Sequence, residues 1–159
     1  MEYDIIDNFL PENQFKQIAD FVMGNHFPWF RNDGKIYDGD GHEHFYHIFY
    51  HQVTGVRTNE SVIIQPVLKK LGANNVHRAK VNMTSRRLFF RRTGYHIDME
   101  NVTTAVFYFN TNNGGTKLKR GPFIKSVANR MVLFSSNTEH MGIHCSNANR
   151  RVVLNINYT

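Results

Sequence analysis

The sequence predicts an α+β chain that is mainly β, a sandwich or jelly roll with its helices near the N-terminus. Two segments before Val76 carry apolar residues at helical spacing. From Val76 onward the pattern changes to short runs rich in β-branched and aromatic residues. Strong turn signals, above all TNNGGT at Thr111 to Thr116, separate those runs. Two helices followed by many short antiparallel strands is the order of such a fold.

Taken along the chain, Tyr3 to Phe9 reads as a short apolar strand. A helix follows, with Pro11 suited to a first helical position, Phe15, Ile18, Ala19, Val22 and Met23 on one face, and Gly24 as the stop. His26 to Gly41 is irregular and contains the single tryptophan, Trp29. His44 to Val53 is strand-like and aromatic. Ser61 to Leu71 reads as a second helix, with Pro66 marking a kink or a late start and Gly72 the end. The strands then expected are Val76–Thr84, Arg86–Arg91, Val102–Asn110, Pro122–Val127, Met131–Ser135 and Arg151–Tyr158, with Asn129-Arg130 as a further turn.

Composition narrows the class. At 159 residues, 41% hydrophobic and 13% aromatic, the chain can bury a real core and is not disordered. No repeat, linker or low-complexity segment divides it, so one domain over residues 1–159 is expected: helices and support strands over 1–75, a β core over 76–159. No stretch reaches membrane-spanning length, and MEYDIIDNFL carries acids where a leader would be basic. A soluble, cytoplasmic protein without a membrane partner is expected; the sequence is silent on oligomeric state. The lone Cys145 reads as a small buried hydrophobe. The net charge of +6 is spread over Arg86-Arg87, Arg91-Arg92, Lys117-Lys119-Arg120 and Arg150-Arg151, and charge alone does not choose a partner.

The residues with chemical content are His96, Asp98, His140 and Arg151. A histidine and a carboxylate at i and i+2 share one face of a strand. A second histidine from a later strand completes two imidazoles and one carboxylate, the facial triad that holds non-haem Fe(II) and leaves positions open for a bidentate 2-oxo acid and O2. His140 lies 42 positions after Asp98, room for several short strands. On RVVLNINY, Arg151, Val153, Asn155 and Asn157 share one face, which suits a polar pocket, and an arginine there matches a carboxylate through its planar fork. His144 is a rival to His140, and Arg150 to Arg151. His42, His44, His47 and His51 form a second cluster, read as aromatic-segment histidines or substrate contacts, with a separate zinc site the remote alternative.

In order, YHIDM, TAVFYFN, GGT, ANRMVLF, NTEHMG and NRRVVLNINY resemble the catalytic half of 2-oxoglutarate/Fe(II) oxygenases of the prolyl-hydroxylase type, and are most similar to small phage-encoded and bacterial members. The resemblance covers roughly Val76 to Tyr158. It implies a double-stranded β-helix (a cupin-like jelly roll) with N-terminal helices packed outside. It implies His96, Asp98 and His140 as ligands of the catalytic iron, and Arg151 and Tyr108 on the distal carboxylate of 2-oxoglutarate. Asn82 and Asn155 would be further cosubstrate contacts. The implied reaction couples oxidative decarboxylation of 2-oxoglutarate to hydroxylation of a C–H bond, with O2 consumed and ascorbate available to keep the iron reduced. The expected substrate is a peptide or protein, with Trp29 to Tyr50 as its binding lip. A nucleic acid or nucleobase is the alternative, in the cytoplasm of a bacterial or phage-infected cell. A non-catalytic jelly-roll interaction module is the third reading.

Overall fold

The computed structural model describes residues 2–32, 44–88 and 94–159. His42, Arg91-Arg92, most of the irregular segment before Gly41 and the end of the expected 86–91 strand lie outside these residues.

The strands are β1 (Tyr3–Ile6), β2 (Phe30–Asn32), β3 (His44–His51), β4 (Val56–Arg57), β5 (Val76–Ser85), β6 (Thr103–Tyr108), β7 (Gly115–Leu118), β8 (Phe123–Lys125), β9 (Arg130–Ser135), β10 (His140–Ile143) and β11 (Arg150–Tyr158). They form two antiparallel sheets. The larger runs β1-β9-β6-β11-β5-β3-β2, with β4 paired to β3; the smaller runs β10-β7-β8. The mainly-β prediction therefore holds, as do the positions of the longer strands.

Helix α1 (Glu12–Val22) begins one residue later than its sequence predicts, with Pro11 as N-cap rather than first helical residue. The second helical segment is a 3-10 turn (Asn59–Ile64) that passes into α2 (Gln65–Leu71). Pro66 is the reason: it has no N–H to give to a continuing ladder, so the α-helix starts beside it. Gly72 ends α2 at φ 64°, a conformation open to a residue without Cβ.

Four short strands were not legible as strands, one of them the two-residue β4. Phe30–Asn32, Gly115–Leu118 and His140–Ile143 lack the run of alternating apolar residues that marks the others. TNNGGT is thus only partly turn, because β7 already starts at its second glycine. Conversely, Arg86 to Leu88 leave the sheet after Ser85. The Arg86 and Arg87 amides donate to the carbonyls of Asn149 and Cys145 instead of a strand partner.

Alternation gives the large sheet two different faces. Ala79 and Val81 of β5, Phe107 of β6, and Val152, Leu154 and Ile156 of β11 pack with Ile18 and Val22 of α1 and Val67 of α2 into one cluster. Phe15 meets Phe107 edge-on at 5.9 Å. Each such side chain contributes about 1.5–3 kcal/mol on burial, so this face fixes the helices on the outside. The opposite face presents Val106, Tyr108 and Val153, which join Val132, Phe134 and, from the small sheet, Leu118 and Ile124 in a second cluster between the sheets. The two sheets enclose the polar cavity beside that second cluster.

Close approach at the entry to β7 depends on two glycines. A Cβ on Gly114 would stand 2.6 Å from the Ile143 carbonyl oxygen, and one on Gly115 would meet the Ile124 carbonyl and the Phe123 ring. Gly114→Ala and Gly115→Ala are each expected to destabilise the protein by about 1–3 kcal/mol. Urea unfolding checks this.

Candidate metal centre and its cavity

His96 and His140 are joined as an isolated antiparallel bridge, each amide donating to the other's carbonyl at 3.0 Å. This bridge sets the rings side by side, centroids 4.8 Å apart. The expected strand at His96-Ile97-Asp98 is reduced to that one bridging residue, yet Asp98 still turns in toward both rings. Its Oδ1 is 3.7 Å from His96 Nε2, and its Oδ2 is 3.7 Å from His140 Nε2. Among the described residues, these three form the one group whose ligand atoms, all within 4.8 Å of one another, could hold a metal ion.

The outer partners favour ligation. His140 Nδ1 faces the Thr138 carbonyl at 3.1 Å and His96 Nδ1 faces the Gly94 carbonyl at 3.2 Å. A carbonyl only accepts, so both Nδ1 atoms carry the proton and both Nε2 lone pairs are left for a metal. Burial holds His140 below the usual histidine range, which keeps it neutral. Asp98 is also buried, which opposes ionisation, but its charged neighbours, Arg78 first among them, outweigh burial and hold its carboxyl below the usual range. Its Oδ2 is buried with no hydrogen-bond partner. Two imidazole lone pairs and an unsatisfied carboxylate oxygen are a donor set that fits Fe(II).

The same cavity, about 250 Å³, is lined on the large sheet by Asn82 of β5 and by Arg151, Val153 and Asn155 of β11. Arg151 is buried at the far end. Its Nη2 donates to Thr116 Oγ1 at 3.3 Å, a hydroxyl that also accepts from Tyr108 at 2.8 Å, and its Nε is buried without a partner. Tyr108 lies beneath the guanidinium, 5.7 Å from its ring centroid. Burial lowers the pKa of Arg151 and raises that of Tyr108. Arg150 leaves the cavity by alternation and donates to the Met23 carbonyl at 2.6 Å. His144 is buried but lies outside the three-residue group. Cys145 is buried, its Sγ donating to the Ala148 carbonyl at 3.4 Å.

The upstream histidines separate. His44 lines the cavity, whereas His47 is buried on the other face, between the Pro28 carbonyl and Thr58 Oγ1. Sequence reasoning missed Arg78, Lys80 and Thr116. The signal for the first two was available in VHRAKVNMTS: Arg78, Lys80 and Asn82 alternate with Ala79, Val81 and Met83. Arg78 donates to Asp98 Oδ1 at 3.0 Å and, through Nε, to Asn157 Oδ1 at 3.1 Å. Asn157 in turn donates to Thr104.

Lys80 is held low, at about 8, by burial and by Arg78, partly offset by Asp98. An unfolded lysine titrates near 10.4, so the unfolded chain binds the extra proton between pH 8 and about 10.5, and stability rises with pH across that window. Replacing Lys80 by methionine should remove this rise. Between pH 7.5 and 10.5 the stability of Lys80→Met relative to the parent is expected to fall by about 1–2 kcal/mol, allowing for screening. Urea titrations at the two pH values check it.

No family model and no curated protein matches the chain. Solved structures do. A 2OG-Fe(II) oxygenase-family oxidoreductase from Burkholderia pseudomallei superposes with a TM-score of 0.70 over 99% of this chain and 85% of its own, at 12% identity. The fold is that of the 2-oxoglutarate/Fe(II) oxygenases. The α-ketoglutarate-dependent non-heme epimerase SnoN of nogalamycin biosynthesis shares this oxygenase fold (TM-score 0.65, 12% identity, 99% of this chain, 77% of that one). So does a Trichoplax adhaerens prolyl hydroxylase solved with a hypoxia-inducible-factor peptide (0.61, 15%, 98% and 82%). What is shared at these identities is the oxygenase fold, and an epimerase beside a hydroxylase shows that it hosts more than one outcome. Among the described residues, no helix is long and apolar enough to cross a membrane.

Proposed function

We propose that this protein is a 2-oxoglutarate-dependent Fe(II) dioxygenase that hydroxylates a C–H bond of a peptide or protein. The observation that carries this reading is one cavity with a His96–Asp98–His140 donor set at one end and a buried guanidinium with an unpaired Nε at the other. A dicarboxylate that chelates a metal through one end and needs a cation at the other fits that spacing of functions.

In this reading His96, Asp98 and His140 hold Fe(II), and Arg151 receives the distal carboxylate of 2-oxoglutarate. Fe(II) held by these three residues would supply O2 activation and the coupling of 2-oxoglutarate decarboxylation to oxidation of the substrate. The chain's own part is to bind, orient and exclude water. Thr138 and Gly94 fix the imidazole tautomers, and Arg78 takes the Asp98 oxygen that it already hydrogen-bonds, which limits how the carboxylate can turn. Thr116 and Tyr108 set the plane of Arg151, while Asn82 and Asn155 offer amides along the cavity floor. Val106 and Val153 add apolar wall to a cavity that is otherwise lined mostly by polar side chains.

Support for a peptide substrate comes from the Trichoplax enzyme, which was solved with a peptide. The net charge of +6 favours a second reading, the same chemistry on a nucleic acid. Succinate formation measured with Fe(II), 2-oxoglutarate and O2 tests the activity. It is expected to depend on all three and to disappear in Asp98→Ala; succinate release that survives that substitution would refute the site. Substrate binding that falls steeply with salt would favour the nucleic acid, and a flat profile the peptide.

A further inference from the structure

The oxygenase reading leaves one cation of the cavity without an anion. Three cationic side chains line it: Arg78, Lys80 and Arg151. Arg78 is committed to Asp98, and Arg151 is matched by the distal carboxylate of the cosubstrate. Iron(II), Asp98 and 2-oxoglutarate together carry one negative charge, so the loaded site would still be cationic. The Lys80 ammonium makes no hydrogen bond or ion pair among the described residues and rests over the Tyr46 ring, 4.6 Å from the centroid.

Position separates it from the cosubstrate end. At the backbone Lys80 pairs with Asn155, whereas Arg151 pairs with Thr84, four residues or about 13 Å along the strands; the ammonium reaches part of that way, over Tyr46, whose backbone partner is Asn82. In the sheet order β11-β5-β3, Tyr46 lies on the flank of β5 away from β11, so the ammonium sits on the β3 side. There Phe30, exposed on β2, continues the surface at 6.0 Å from Tyr46. A half-buried cation on an aromatic ledge beside a metal centre is a seat for an anion.

We infer that Lys80, backed by Tyr46, anchors an oxyanion of the primary substrate, a carboxylate or a phosphate, and so holds the reacting C–H bond over the metal centre. The inference rests on the oxygenase reading and names the substrate class of that site.

The test uses protein loaded anaerobically with Fe(II) and 2-oxoglutarate, its visible charge-transfer band serving as the monitor. Inorganic phosphate and, separately, acetate are titrated in by calorimetry. At least one should bind with the band retained, and the stronger of the two identifies the source of the oxyanion. Lys80→Met should weaken that binding about tenfold or more, and Lys80→Arg should largely restore it, with 2-oxoglutarate affinity unchanged in both. Binding of neither anion, equal binding by Lys80→Met, loss of the band on anion addition, or a matching loss of 2-oxoglutarate affinity in Lys80→Met would each overturn the inference. A wild-type protein that forms no band would remove the oxygenase reading itself, and this inference with it. A band without an anion site removes the inference alone.

Discussion

His140→Ala is expected to abolish high-affinity iron binding and all 2-oxoglutarate turnover while leaving the protein folded. His140 is buried, packs edge-on against Phe134 at 5.0 Å, and supplies the one donor that arrives from the small sheet. Without it, His96 and Asp98 remain as a two-ligand site on a single loop. Loss of an outer partner of a metal ligand typically costs about 10–100-fold in affinity, and loss of the ligand itself should exceed that. The backbone bridge to His96 survives, because both of its hydrogen bonds use main-chain atoms. Anaerobic calorimetry with Fe(II), beside a circular-dichroism melt, reads both halves of the prediction. Retained iron affinity in a folded His140→Ala protein would assign the distal ligand elsewhere, with His144 the first alternative.

Arg151→Ala should separate metal from cosubstrate. The guanidinium is fully inside the protein and touches none of the three ligands, so iron binding should change little. A buried charged pair that loses one partner costs about 2–5 kcal/mol, which predicts a fall in 2-oxoglutarate affinity of roughly 30-fold or more. Part of the effect will pass through Thr116 and Tyr108, whose hydroxyls meet beside the lost side chain. Arg150→Ala is the control: its guanidinium binds the Met23 carbonyl on the helix side, so that variant should lose some stability and keep its cosubstrate. An unchanged 2-oxoglutarate dissociation constant in Arg151→Ala would contradict the placement.

What could be read from the sequence follows physical lines. The final strand was legible because its alternation is strict: Val152, Leu154 and Ile156 go to the helix-side core, and Arg151, Val153 and Asn155 to the cavity. The same logic separated Arg150 from Arg151. The juxtaposition of His96 with His140 was legible only through the order of motifs, since a single bridge from a loop to the first residue of β10 leaves no periodic trace. β7 and β10 were hidden for a related reason: four-residue strands containing glycine, threonine or histidine look like turns until a partner strand is present. Arg78 and Lys80 were visible as alternation, but alternation alone does not distinguish a strand face in water from one on a cavity. They face a cavity because both sides of β5 are covered, one by the helices and the other by the cavity and its loops.

The proposed metal and cosubstrate site is tested by anaerobic titration of Fe(II) and 2-oxoglutarate into the metal-free protein, watching for the weak visible metal-to-ligand charge-transfer band. The expected band requires both components, saturates at one equivalent of iron, and is absent in His140→Ala. A folded protein that gives no band with both present would contradict that site.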